Sequence, residues 1–107
     1  MKKILLIAKD ELIGKSLSLV CKSLELVPVV TEHDNALSVF LSEEPEIVIV
    51  CDYDEKGGPD FKGAETYRDI KNSATSEIIL RCGFVRHDYT DYLQLPFKLE
   101  ELKKKIK

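Results

Sequence analysis

The apolar positions along the chain keep two rhythms in turn. Lys3–Ala8 is a continuous apolar run of strand length, the pattern of a strand covered on both faces. Leu12, Ile13, Leu17, Val20, Cys21 and Leu24 then recur at three- and four-residue spacing, which predicts an amphipathic helix packed through those side chains. Pro28 to Thr31 reads as a short strand, and Pro28 near its start predicts an edge position. Asp34 is placed to cap a second helix that turns Ala36, Leu37, Phe40 and Leu41 toward the core. Ile47 to Cys51 is the most strongly β-branched stretch and predicts the central strand.

An acidic, glycine-containing loop from Asp52 to Asp60 follows, then a helix from about Gly63 to Asn72 with Ala64, Tyr67 and Ile70 as its apolar stripe. Glu77 to Cys82 predicts a fourth strand and Asp91 to Leu95 a fifth, with Leu99, Leu102 and Ile106 marking the final helix. Gly83 to Thr90 is weakly periodic and short, so the helix between the last two strands is expected to be shortened or missing. Strands alternating with helices require crossover connections, hence a parallel sheet with helices on both faces. The expectation is an α/β, flavodoxin-like, doubly wound sheet of five strands in the order 2-1-3-4-5, forming one domain over residues 1–107. There is no internal repeat, linker or low-complexity stretch.

Composition narrows the function classes. The 107 residues carry 44% hydrophobic and 33% charged side chains with a net charge of −3, the balance of an ordinary soluble globule. The one basic cluster, Lys103, Lys104, Lys105 and Lys107, suits the end of a helix, where cations complement the dipole. Nucleic acid is therefore not an expected partner, since neutralising phosphates needs a concentrated positive face. The apolar start ends at Ala8 and meets Lys9, Asp10 and Glu11, too short for a secretory segment or a membrane span. Cys21, Cys51 and Cys82 lie in apolar runs without CxxC spacing, which fits a reducing, cytoplasmic setting. His33 and His87 stand alone in polar segments, and Gly57-Gly58 lacks the Lys-Ser/Thr of a phosphate-binding loop. The acidic loop lacks EF-hand spacing, because Gly63 occupies the position that needs a bidentate Glu.

Several stretches resemble, in order, the receiver domain of response regulators in two-component signalling. They are Lys2-Lys3-Ile4-Leu5-Leu6-Ile7, Leu12-Ile13, Pro45-Glu46-Ile47-Val48-Ile49-Val50 and Tyr92-Leu93-Gln94-Leu95-Pro96-Phe97. The last is the most specific, since receivers read Tyr-aliphatic-x-Lys-Pro-Phe there and continue into a helix with Glu-Leu, as Glu101-Leu102 does here. The resemblance covers nearly the whole chain and implies the same fold, with a cis bond at Leu95-Pro96.

It also implies a chemistry that can be checked by position. A working receiver takes a phosphoryl group on an aspartate ending the third strand, with Mg²⁺ held by an acidic pair after the first. A hydroxyl after the fourth strand and a lysine before the proline contact the phosphoryl oxygens. Without gaps, the acidic pair falls on Ala8 and Lys9, the acceptor on Cys51, the hydroxyl on Arg81 and the lysine on Leu95. A one-residue shift restores carboxylates, with Asp10 and Glu11 for the metal and Asp52 as acceptor, and the apolar pattern of a buried strand does not exclude it. Pro96 fixes the fifth strand in either register, so the lysine is Leu95, and the hydroxyl is Arg81 or Cys82.

The expected function is a stand-alone pseudo-receiver, a non-enzymatic protein-interaction module without cofactor. It would use the last strand and helix around Tyr92, Phe97 and Leu99 to meet a signalling protein or a second copy of itself. Lys9 offers its ammonium to Asp10, Asp52 or Asp54 in place of a metal. The alternative is a Mg²⁺-dependent phosphoacceptor using Asp52, Asp10 and Glu11; a second alternative is a thiol redox switch through Cys51 and Cys82, which end neighbouring strands.

Overall fold

Burial of the apolar runs organises the chain around one sheet. The computed structural model describes residues 2–9, 11–51, 61–84, 91–95 and 99–106. The elements are β1 (Lys3–Ile7), α1 (Glu11–Ser23), β2 (Val27–Thr31), a 3₁₀ turn (His33–Asn35), α2 (Ala36–Glu43), β3 (Ile47–Cys51), α3 (Phe61–Ser73), β4 (Ile78–Gly83), β5 (Tyr92–Gln94) and α4 (Leu99–Lys105). All strand pairs are parallel and their order is β2-β1-β3-β4-β5, the flavodoxin-like arrangement the alternation predicts. Among the described residues no helix lies between β4, which ends at Gly83, and β5, which starts at Tyr92.

The two-residue period of the strands sorts the core into two layers. Ile4, Leu6, Ile47, Ile49, Cys51, Leu80, Cys82 and Leu93 pack with Leu17 and Cys21 of α1 and Leu102 of α4. Leu5, Ile7, Val48, Val50 and Ile79 pack on the other face with Ala36 and Phe40 of α2 and Ile70 of α3. All five residues of β3 are buried, as a central strand with helices on both sides requires. Each fully buried aliphatic side chain contributes roughly 1.5–3 kcal/mol relative to exposure.

β2 is the edge that Pro28 predicts. The Val27 N–H donates to the Lys2 carbonyl at 2.9 Å, and the Ala8 N–H donates to the Thr31 carbonyl at 3.1 Å. Alternation turns the backbone of Pro28 and Val30 outward, so the missing proline N–H falls where no ladder bond is lost.

Several side-chain expectations are corrected. Leu12 is 69% exposed and Gly14 takes its place on the buried face, because α1 approaches β2 so closely that a Cβ on Gly14 would lie 2.6 Å from Val30 Cγ1. Asp34 does not cap α2: the 3₁₀ turn intervenes, the helix starts at Ala36, and the Asp34 carboxylate accepts from Lys62 at 3.4 Å instead. Leu37 and Leu41 are exposed, while Val39 packs inward beside Ala36 and Phe40. Ala64 is exposed, with Gly63 and Thr66 facing inward beside Ile70. Glu25 and Glu44 adopt the left-handed conformation, at φ of 62° and 50°, just after α1 and α2, so neither helix end carries the glycine that usually marks it.

Candidate functional site

In open parallel sheets, ligand chemistry gathers beyond the carboxyl ends of the strands, where the chain changes direction along the sheet. Here that point lies above β1 and β3. Strand register puts Ile7 beside Val50, Cys51 beside Cys82 and Cys82 beside Leu93. Ala8 continues β1 past Ile7, and its side chain joins Cys51, Cys82 and Leu93 in one buried cluster under α1 and α4. The strand ends on this face are closed by small apolar side chains. Leu95 packs half-buried against the same cluster, its N–H donating to the Gly83 carbonyl at 2.8 Å.

Arg81 belongs to the opposite face. It pairs in register with Val50 and Tyr92, and its guanidinium carbon lies 5.1 Å from the centroid of the Tyr67 ring on α3. A half-buried cation over a ring face is attracted by the ring quadrupole, worth about 0.5–2 kcal/mol depending on desolvation. Of the two residues that could stand at the receiver's hydroxyl position, Cys82 is buried in the core and Arg81 is a long cation committed to α3. Tyr92 is buried beside it, only 5% exposed.

Polar chemistry collects over β1 and β2 instead. A cleft of about 440 Å³ is lined by Lys9, Glu32, His33, Asp34 and Lys62. A neighbouring cleft of about 360 Å³ shares Lys9 and Glu32 and adds Glu11, Lys15 and Ser18 of α1. Lys9, exposed just past β1, forms the wall between them.

His33 reads in sequence as an isolated polar-segment histidine, yet it is buried, and its Nδ1 lies 3.1 Å from Thr66 Oγ1 on α3. Thr66 Oγ1 donates its own proton to the Lys62 carbonyl at 2.8 Å. The hydroxyl can then only accept from the ring, so Nδ1 carries a hydrogen. The Lys62–Asp34 ion pair spans the same two elements from outside. The i to i+4 back-bond of Thr66 is a local sequence signal; its meeting with His33, 33 residues away, is tertiary and had none.

Of the remaining expected site residues, Asp10, Asp52 and Phe97 lie outside the described residues, as do Asp54, Asp60, His87 and the Leu95-Pro96 bond. Glu11 is described: it opens α1, pairs with Lys15 at 3.4 Å along its own helix and lines the cleft beside Lys9. Ala8 offers a divalent cation no side-chain oxygen, and among the described residues no group of three or more His, Cys, Asp or Glu converges as metal ligands would. Of the expected contact residues, Leu99 is exposed on α4 whereas Tyr92 is tucked under the sheet's edge. Cys51 and Cys82 are direct register partners.

No protein-family model and no curated protein matches this sequence. Solved structures do match. A CheY-like response regulator receiver domain from Methylobacillus flagellatus superposes with a TM-score of 0.78 at 11% identity, covering 97% of this chain and 94% of that one. A two-component response regulator from Clostridium difficile gives 0.77 at 20% identity, over 99% and 93% of the two chains. A chain in the complex of histidine kinase ThkA with response regulator TrrA gives 0.78 at 23% identity, over 99% and 96%. The fold is thus that of response regulator receiver domains.

Proposed function

We propose that this chain is a pseudo-receiver, a signalling module of the cytoplasm that works by protein recognition without phosphotransfer. The observation that carries the reading is the way β1 and β3 end: Ala8 and Cys51 are packed into the apolar core. Phosphotransfer needs carboxylates there, reaching a metal and a phosphoryl group. Leu95 and Arg81 point the same way, the first packed on the core and the second engaged with Tyr67. A pocket that keeps nearby carboxylates but has Leu95 in place of the receiver lysine, and Arg81 or Cys82 in place of its hydroxyl, would bind a phosphoryl dianion poorly. A partner would be met through the surface around the last strand and helix, where Leu99 is exposed. Such a partner is a protein of a signalling pathway, as response regulator TrrA is found with a histidine kinase, or a second copy of the chain.

The competing reading places the phosphoryl group on Asp52, with Asp10 and Glu11 around Mg²⁺. Incubating the protein with a small acyl phosphate and Mg²⁺, then reading intact mass, separates the two. The pseudo-receiver keeps its mass. A gain of one phosphoryl group that disappears in Asp52→Asn overturns the proposal.

A further inference from the structure

We propose that Cys51 and Cys82 form a redox-active pair that closes a disulfide between β3 and β4 when a peroxide reaches them through an opening of α4. The two are register partners on adjacent parallel strands, and their side chains enter the same cluster, so both point toward the α1 and α4 layer. Neighbouring strands lie about 4.8 Å apart, inside the roughly 4.4–6.8 Å between α-carbons that a disulfide spans. Cys51 is the last residue of β3.

Both thiols are fully buried, so reaction requires the cluster to open. α4, only seven residues long, packs on this cluster through Leu102, its one fully buried side chain. Helices of that length do not persist undocked, and short peripheral elements open at low free energy. Cys21, the third thiol of the cluster, sits on α1 and has no register partner in the sheet, and burial pushes its ionisation up to about 11. The first thiol attacks the peroxide O–O bond, giving a sulfenic acid and one water. The second thiol displaces the hydroxyl from that sulfur, forming the S–S bond and the second water. Two thiols are oxidised by two electrons and the peroxide is reduced. The inference stands apart from the pseudo-receiver reading, since it needs neither phosphate nor a partner.

The test is to treat the full chain with hydrogen peroxide, block free thiols with an alkylating agent and map the disulfides by non-reducing digestion. The expected result is an intramolecular Cys51–Cys82 link, reversed by a dithiol, that persists in Cys21→Ala and vanishes in Cys51→Ala and in Cys82→Ala. Cys51→Val and Cys82→Val repeat the result if the alanine variants do not fold. Leu102→Ala, by weakening the anchor of α4, speeds closure about tenfold or more. Thiols that stay free, a link through Cys21, or closure no faster in folded Leu102→Ala would each overturn the proposal.

Discussion

Gly14 of α1 and Val30 of β2 approach so closely that a single added carbon on Gly14 would sit 2.6 Å from the valine's Cγ1. Two effects oppose each other in Gly14→Ala. Alanine is better than glycine in a helix interior by about 1 kcal/mol, but the clash forces Val30 or α1 to move, typically costing about 1–3 kcal/mol. Urea unfolding is expected to show a net loss of about 1 kcal/mol. In a Val30→Ala background, with the obstacle gone, the same substitution should gain about 0.5–1 kcal/mol. A loss of equal size in both backgrounds would show that contact with Val30 is not the cause.

The hydrogen bond between His33 and Thr66 ties the turn after β2 to α3. Thr66→Val removes the acceptor and leaves a buried ring N–H to be desolvated, costing about 1–3 kcal/mol, while Thr66→Ser restores most of it. Nitrogen-detected NMR of the wild-type chain should find the hydrogen on Nδ1 of His33. Equal stability of the valine and serine variants would mean the bond contributes nothing.

Lys9 stands between two clefts whose walls carry Glu11, Glu32 and Asp34. If its ammonium balances carboxylates at the strand ends, Lys9→Met lowers the thermal midpoint at low ionic strength, and the difference closes as salt screens the exposed charges. Thermal melts at several salt concentrations check this; an unchanged midpoint at every one removes Lys9 from that role.

Glu77 accepts from the Thr75 N–H at 2.7 Å and the Ser76 N–H at 3.1 Å. Its own backbone N–H and these neighbours hold its carboxyl below the usual glutamate range. Because the folded value is the lower one, the group favours folding above the unfolded value, and that preference is lost as pH falls through the depressed folded value. A carboxyl-carbon titration should place Glu77 below the other glutamates, and Glu77→Gln should flatten the acid limb of the stability profile there. A midpoint at the ordinary glutamate value would contradict the hydrogen-bond cause.

The strands were legible because burial on both faces leaves an uninterrupted apolar run, as Ile4–Ile7 and Ile47–Cys51 show. Strand order followed from alternation and from Pro28 at the edge. Helix faces were less legible. Leu12 satisfies the three- and four-residue spacing, yet the close approach of α1 to β2 selects Gly14, a residue that hydrophobic spacing does not count. The start of α2 falls later than Asp34 predicts because a 3₁₀ turn looks like a first helical turn until its hydrogen bonds are seen. At the site, Cys51 ends β3 as the apolar run from Ile47 predicts, while Asp52, the acceptor of the shifted register, lies outside the described residues. The contacts of Arg81 with Tyr67 and of His33 with Thr66 join distant segments, and no local pattern announces them.

The orientation of Pro28 bears on how the molecule can assemble. On the outward side of β2 the backbone presents the positions of Pro28 and Val30, and only Val30 has an amide to give. A visiting strand, whether a peptide or another copy, would find one donor where a lengthening ladder needs a repeating series. The opposite edge, β5, offers only three residues. Growth of the sheet from molecule to molecule is thereby terminated at one end and starved at the other. That disfavours fibre-like stacking despite a core rich in Ile and Val, and leaves helices and loops as the places where a second protein can take hold.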